Sequence, residues 1–167
     1  MQFKVGDKVV YPSQGVSEVE TIANEVFAGT DMKCYHLRLI NSDSKVMVPV
    51  SNSERVGLRP LSEKKLVRRA MKRLKSSEGE NAEDWKDRYR ANLERIKTGD
   101  LDEIVNVLLC LAEVASRKTL SFRERKMYDH ARQLLVNEVA EVEGRPVEKV
   151  EAQVEDALGH VVSQDDD

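Results

Sequence analysis

The feature that most constrains this chain is a change in the spacing of its apolar residues near Arg59-Pro60. Before that point apolar and polar residues alternate in short runs, which is typical of half-buried strands. The runs cover residues 8–11, 16–22, 35–40 and 45–50. Turn-forming pairs such as Gly6-Asp7 and Ala28-Gly29 separate them. Short strands at this spacing predict a small twisted β-barrel.

Beyond residue 60 the apolar residues recur with the period of an α-helix. The predicted helices cover residues 61–75, 83–97, 101–118, 121–143 and 147–159. Ser121 and Glu124 match the S-x-x-E pattern of a capping box, and Gly144 and Gly159 mark helix ends. We therefore predict an α+β chain in three parts. These are a β-barrel domain over residues 1–60, an all-α domain of about five helices over 61–162, and a frayed acidic tail over 163–167.

The charges are distributed unevenly, although the net charge is only −3. Residues 1–60 hold 7 basic and 7 acidic residues, 61–132 hold 18 and 13, and 133–167 hold 2 and 10. A basic middle followed by an acidic end indicates contact with a polyanion through one helical surface. The alternative is an ordinary solvated helical face. Because no apolar run approaches the length of a membrane span and no signal-peptide pattern is present, we expect a cytoplasmic protein without membrane contact. We also expect it to be a monomer.

Side chains that could support catalysis are scattered. His36, His130 and His160 have no partner at the spacing of a metal site or a catalytic triad, and Cys34 and Cys110 lie far apart. The common phosphate-loop, nucleophile-elbow and zinc-protease motifs are missing from the sequence. We expect a protein that is not an enzyme and that has no cofactor and no metal.

Trp85 is the single tryptophan and lies in the first turn of the predicted second helix. The basic residues that follow it are Lys86, Arg88 and Arg90. A large flat side chain beside phosphate-binding charge at a helix start indicates a wedge that inserts into a nucleic acid. The alternative is that Trp85 belongs to the buried stripe of an amphipathic helix, and spacing alone favours this alternative. The other members of that stripe would be Tyr89, Leu93 and Ile96.

Two further surfaces are candidates for binding. On the strand over residues 45–50 the pleat places the three valines on the core face. The outward residues are Lys45, Met47 and Pro49. Proline favours an edge strand, so this face could receive a strand or loop of another protein; the alternative is that Met47 fills a gap under the helical domain. The second surface is formed by Arg123, Arg125 and Lys126, which oppose the dipole at a helix start unless an anion such as phosphate approaches.

Several motifs occur in an order that resembles a known family. They are Phe3-Lys-Val-Gly-Asp-Lys-Val-Val-Tyr-Pro-Ser-Gln-Gly-Val16, Val48-Pro49, Val56-Gly-Leu-Arg59, Trp85-Lys-Asp-Arg-Tyr-Arg-Ala-Asn-Leu93, Lys97-Thr-Gly-Asp100 and Leu120-Ser-Phe-Arg-Glu-Arg-Lys-Met127. Together they resemble the CarD/CdnL family of bacterial transcription regulators over nearly the whole chain. The resemblance implies a Tudor-like, SH3-like N-terminal domain that binds the β subunit of RNA polymerase. It also implies a helical C-terminal domain that contacts promoter DNA.

The resemblance further implies that Trp85 inserts into the minor groove at the upstream edge of the melted bubble and that Arg125 meets the DNA backbone. Such a protein stabilises the promoter open complex with little sequence specificity, and is nucleoid-associated through the polymerase. The predicted DNA contacts are Trp85, Lys86, Arg88, Arg90, Arg123, Arg125 and Lys126. The predicted polymerase contacts are Arg38, Lys45, Met47 and Pro49.

The chain departs from the family pattern at a few positions. Some relatives carry arginine at the positions of Glu25 and Met47, so their charge pairing with the β subunit does not carry over. Relatives also tend to have Arg-Asp where this chain has Leu109-Cys110, which removes a DNA contact and enlarges the apolar face of the third helix. Two alternative functions stay open. One is a protein adaptor without DNA contact, and the other is a polymerase-docking module of a repair assembly, as in the transcription-repair coupling factor.

Overall fold

The computed structural model describes residues 2–76 and 85–159. The chain divides into two compact units, Met1–Leu61 and Ser62–Asp167. Each unit has its own hydrophobic core. The predicted helix start at residues 83–84, the tail over 163–167 and His160 lie outside the described residues.

The first unit is a five-stranded antiparallel sheet. Its strands are β1 (Lys8–Tyr11), β2 (Gly15–Phe27), β3 (Thr30–Leu39), β4 (Lys45–Pro49) and β5 (Arg59–Pro60), in the order β4-β3-β2-β1-β5. A short 3-10 turn over Val50–Asn52 follows β4. The sheet is the one expected of a Tudor-like domain, and the four predicted strands are confirmed. Strands β2 and β3 are longer than predicted, and β5 is an additional strand of two residues.

The core of this unit collects the inward residues of the strands. Its members include Phe3, Val9, Val19, Tyr35, Leu37, Val48 and Leu58. The Phe3 and Tyr35 rings pack edge to face with centroids 5.8 Å apart. The Phe3 backbone N–H donates to Tyr35 Oη at 3.0 Å, so the polar end of this buried ring has a partner.

Strands β2 and β3 form a long hairpin whose far end leaves the core. Val26 and Phe27 are exposed there, and Phe27 pairs with Thr30 across a two-residue turn. Both turn residues have positive φ, 50° at Ala28 and 79° at Gly29. This is the twist that a two-residue hairpin loop requires, and the predicted turn is confirmed.

The described residues of the second unit form five helices, as predicted. They are α1 (Lys64–Ser76), α2 (Trp85–Lys97), α3 (Leu101–Arg117), α4 (Phe122–Glu143) and α5 (Val147–Leu158). Asp100 caps α3 by accepting the Asp102 N–H at 2.9 Å. Gly144 and Gly159 end α4 and α5 in the left-handed conformation, as their positions predicted.

Helix α3 is the centre of the helical unit, and α1, α2, α4 and α5 all pack against it. It is buried on most of its circumference, including Leu109 and Cys110, so the enlarged apolar face expected at these positions is confirmed. Tyr128 of α4 lies in the same core, and burial raises its pKa to about 12. Its phenol is therefore a neutral part of the packing.

No described helix is both long enough and apolar enough to cross a membrane.

The hairpin turn offers a stabilising substitution. Ala28 has a Cβ and still adopts positive φ, which is unfavourable for most L-residues, whereas Asn tolerates it and Asn-Gly is a preferred pair for this turn. Ala28→Asn should raise the free energy of unfolding of the first unit by about 0.5–1 kcal/mol. The measurement is urea unfolding, monitored by a signal that reports on the first unit alone.

A matched control makes the same substitution where no turn is involved. Ala152 is exposed in the interior of α5, where Asn is a poorer helix former than Ala. Ala152→Asn should therefore lower the stability of the second unit by roughly 0.5 kcal/mol. A loss of stability at both positions would show that positive φ at Ala28 carries no penalty.

Candidate functional site

The outward residues of β4 lie on the surface of the first unit. Strand β4 is an outer strand of the sheet, as its proline predicted. Met47 is 41% exposed whereas Val48 is 2% exposed, so the predicted alternation along the strand is confirmed. Lys45 is also exposed, and Pro49 is half-buried.

Residues paired across neighbouring strands share a face, and this rule places His36 beside Met47. His36 Nε2 lies 3.0 Å from Glu25 Oε1, and both side chains are about one-third exposed, at 34% and 37%. The structure thus brings Glu25 and Met47, two of the positions expected to depart from the family pattern, close to one histidine. We call Lys45, Met47, Pro49, His36 and Glu25 the sheet-face patch.

Arg38, a predicted polymerase contact, is largely occupied within the fold. It donates to Glu18 Oε2 at 2.6 Å and to Asp43 Oδ1 at 3.1 Å, and Glu20 lies 3.8 Å away. The hydrogen bond to Glu18 is the main reason that the pKa of Arg38 is raised. Lys45 Nζ is 3.7 Å from Glu20 but remains 76% exposed. Lys45 is therefore the more available cation of the two.

Cys34 lies under this patch and is fully buried, in register with Pro49. Burial raises the pKa of its thiol, and the negative charge of Glu25 raises it further. The thiol is therefore protonated at neutral pH and acts as a small packing residue, as expected from the sequence.

Helix α2 buries a face that overlaps only in part with the one that its apolar spacing predicted. The buried residues are Arg88, Asn92 and Ile96, whereas Leu93 is 36% exposed and Tyr89 is half-buried. The predicted apolar stripe is thus wrong at Leu93. Asn92 Nδ2 lies 3.5 Å from the Cys110 sulfur on α3, which gives this buried amide a partner. The side chain of Trp85 lies outside the described residues.

The sequence prediction placed Arg88 among the DNA contacts, but the structure buries this residue inside the helical unit. Its side chain is 2% exposed, and its guanidinium binds Glu124 of α4 through two hydrogen bonds, at 2.7 Å and 2.8 Å. A two-pronged bond of this kind is the strongest pairing available to a buried arginine. Burial removes Arg88 from the surface that could reach a phosphate.

The Arg88–Glu124 ion pair also means that the capping box predicted at the start of α4 is only partly formed. Ser121 Oγ accepts the Glu124 N–H at 3.1 Å, as predicted. The Glu124 carboxylate, which a capping box would direct back to the Ser121 N–H, instead binds Arg88. Only the serine half of the box is therefore formed.

Five of the other predicted DNA contacts lie on α2 and α4, the two helices that this buried pair joins. Lys86 and Arg90 are exposed on α2, Arg123 and Lys126 are exposed on α4, and Arg125 is half-buried. Arg123 lies over the Tyr89 ring at 5.4 Å and so joins the two helices a second time. These five cations, with Tyr89 and Phe122, form the α2–α4 basic patch.

Phe122 is a member of this patch that sequence analysis missed. It is 72% exposed, and the Lys126 ammonium lies 4.7 Å from its ring centroid. A sequence signal existed, because the residues three and four positions further on are Arg125 and Lys126. A phenylalanine on the basic face of a helix is not part of its apolar stripe.

Within the residues that the structure describes, no group of three or more His, Cys, Asp or Glu side chains is placed to hold a metal ion.

Comparison with known proteins assigns both units. Residues 3–62 match the model of the CarD-like/TRCF RID domain, and residues 69–155 match that of the CarD C-terminal domain. A protein of Bacillus subtilis (strain 168) named "Putative transcription factor YdeB" is 30% identical over 142 residues. That alignment covers 85% of this chain and 93% of the relative.

A RID-type sheet followed by a CarD-type helical unit defines a transcription regulator of the kind that interacts with RNA polymerase. The chain belongs to the CarD family. The family resemblance found in the sequence is therefore confirmed.

The buried ion pair gives a direct test of this geometry. Arg88→Met leaves the Glu124 carboxylate buried without its partner, so the free energy of unfolding should fall by about 3–5 kcal/mol. Arg90→Met, at an exposed position of the same helix, should change it by less than about 0.5 kcal/mol. Urea unfolding of the two variants measures the difference.

A double variant separates the charge from the packing. Arg88→Met combined with Glu124→Met removes both charges, and most of the lost stability should return. If Arg88→Met were as stable as Arg90→Met, the two groups would not be a buried pair.

Proposed function

We propose that this protein docks on the β subunit of RNA polymerase through the sheet-face patch and stabilises the promoter open complex through the α2–α4 basic patch. Trp85 is the wedge that enters the minor groove. The observation that carries the proposal is that the Arg88–Glu124 pair joins the first halves of α2 and α4, which together carry five further cations and an exposed phenylalanine, and that α2 begins at Trp85. The family membership supports it.

Docking on the polymerase uses the open edge of β4. The Leu39 N–H donates to Ser44 O at 2.8 Å, and antiparallel pairs alternate between bonded and non-bonded positions. In the register of β3 and β4, this alternation turns the Met47 N–H and C=O away from β3. An extended segment of the partner can therefore add to the edge while the exposed Met47 side chain supplies apolar contact.

The proposed partner contact differs in charge from that of relatives with arginine at these positions. His36 lies beside Met47 and contacts Glu25, and Arg38 is held by Glu18 and Asp43. Lys45 is the remaining cation of the proposed contact set, with Pro49 and Met47 as apolar members. Docking would thus rest on the strand edge and apolar contact more than on salt bridges.

Contact with DNA is divided among three kinds of side chain. Lys86, Arg90, Arg123, Arg125 and Lys126 bind phosphates, which position the protein without reading sequence. Arg88 holds α2 against α4 and so sets the direction in which the first turn of α2 faces the duplex. Trp85 and Phe122 supply flat apolar surface, of which Trp85 is the inserting group.

Docking on the polymerase lets a weak DNA contact suffice. A tethered helical unit meets the promoter at an effective concentration of about the millimolar range, so little intrinsic affinity is required. Insertion between stacked base pairs costs a few kcal/mol in closed duplex and much less where melting has already distorted the step. Because the inserted state is favoured only after melting, the protein shifts the equilibrium toward the open complex.

The polymerase contact is tested by Met47→Ala. Loss of the exposed side chain should weaken binding to the isolated β subunit at least fivefold, about 1 kcal/mol, while folding is unchanged. Val26→Ala is the matched control, because Val26 is 67% exposed in the same sheet and outside the sheet-face patch. Binding is measured by titration with both variants, and equal affinities for Met47→Ala and Val26→Ala would contradict the docking surface.

The wedge is tested by Trp85→Ala. Open-complex stabilisation should fall by roughly 1–3 kcal/mol, which is about 5- to 150-fold in lifetime, while affinity for the β subunit and the melting temperature are preserved. Trp85→Phe should be intermediate because a smaller ring still inserts. The measurement is competitor-challenged decay of open complexes, with a thermal melt of the same samples.

Two outcomes would overturn the wedge. A collapse of the melting temperature in Trp85→Ala, by the 3–5 kcal/mol expected for a buried aromatic, would place the side chain in the core. An unchanged open-complex lifetime with normal β-subunit binding would instead indicate the protein adaptor.

A further inference from the structure

A strongly basic face of helix α1 lies outside both patches described above. Helix α1 holds seven Lys and Arg residues among its thirteen and contains no Asp or Glu. Its buried face is formed by Val67, Ala70, Met71 and Leu74. Outside that face, exposed cations recur along one side of the helix at i, i+3, i+7 and i+10. They are Lys65, Arg68, Lys72 and Lys75, and together they form the α1 basic stripe.

The two other arginines of α1 are paired with a carboxylate of α3. Arg69 and Arg73 both lie beside Asp102 of α3, at 3.1 Å and 3.3 Å. In the stripe, Lys65 lies 3.9 Å from Glu63, its neighbour two residues earlier. Among the described residues, no carboxylate lies within ion-pair distance of Arg68, Lys72 or Lys75.

An acidic helix packs against α1 and still leaves the stripe uncompensated. Helix α5 contacts α1 and carries several glutamates. Glu151 and Glu155 of that helix bind Arg132 of α4 instead, at 3.2 Å and 3.0 Å. The stripe therefore keeps its charge within the folded unit.

Neighbouring cations of the stripe repel one another. Side chains three and four residues apart on a helix are adjacent, so Arg68 and Lys72 form a like-charged pair, as do Lys72 and Lys75. This repulsion is relieved when an anionic surface of matching extent approaches.

We propose that the α1 basic stripe binds the phosphate backbone of duplex DNA, as a second DNA contact separate from the α2–α4 basic patch. From Lys65 to Lys75 the four cations span about 15 Å along the helix, and over about that length one strand of a duplex carries roughly four phosphates. The inference rests on the proposed function only in taking promoter DNA as the polyanion.

The composition of the stripe favours duplex DNA over other polyanions. Three of its four members are lysines, which bind phosphate as point charges and therefore suit contact with a continuous phosphate backbone. Helix α1 has no aromatic residue, so it offers no stacking platform for a single strand. Contact with phosphates alone also predicts binding that is independent of sequence.

The test compares two variants of the full-length protein that lose the same charge. R68Q/K72Q/K75Q removes three cations of the stripe, and K97Q/K118Q/K149Q removes three exposed cations outside both basic surfaces. Gln keeps nearly the helix propensity of Lys and Arg. Affinity for a 30-base-pair duplex of arbitrary sequence (about three helical turns, roughly 10 base pairs per turn) is measured by fluorescence anisotropy over a range of salt concentrations.

The stripe variant should lower the slope of log affinity against log salt by about 2.7, which is about 0.9 for each lost phosphate contact. The control should leave the slope nearly unchanged, and the single variant Lys72→Gln should lower it by about 0.9. Since repulsion is removed, the melting temperature of R68Q/K72Q/K75Q should be equal to or above that of the wild type.

Three results would overturn the inference. They are an unchanged slope for the stripe variant, an equal reduction in both triple variants, and tighter binding to single-stranded RNA than to the duplex. The proposed function fails separately, because it requires Trp85→Ala to shorten open-complex lifetime. If that lifetime were unchanged while R68Q/K72Q/K75Q lowered the slope of log affinity against log salt, the wedge would be wrong. DNA binding by the α1 basic stripe would still be supported.

Discussion

The helical unit depends on one buried ion pair, between Arg88 and Glu124. These residues are 36 positions apart in the chain, and their two short hydrogen bonds hold the first half of α2 against the first turn of α4. Two charges taken out of water are tolerated only when each satisfies the other, so this contact has little freedom in distance or angle. The position of Tyr89 under Arg123, and hence the shape of the basic patch, follows from it.

Much of the architecture could be predicted from periodicity. The alternation at residues 45–50 correctly placed Val48 inside and Met47 outside, because a strand in which one face is buried specifies its own register. The helical spacing and the glycines after α4 and α5 similarly located those helix ends. These features are local, so a single sequence contains the information needed to find them.

The burial of Arg88 could not be predicted in the same way. When a helix is located from the spacing of its apolar residues, arginine is assigned to the solvent-facing side. The burial of Arg88 follows only from a carboxylate on another helix, in a position that the local sequence does not specify. With Arg88 and Asn92 on the packed side, α2 is rotated from the orientation expected of its apolar residues, and Leu93 is exposed as a result. The far half of the β2–β3 hairpin was missed because few of its side chains are buried, which leaves little alternation to detect.

The composition of β4 also bears on self-association. An open strand edge with an exposed apolar side chain is the feature through which sheet proteins join one another and aggregate. Here Lys45 begins the strand with a charge that is 76% exposed, and Pro49 ends it with a residue that has no N–H to donate. The proposed docking edge around Met47 is thus a poor template for pairing with a second copy of itself.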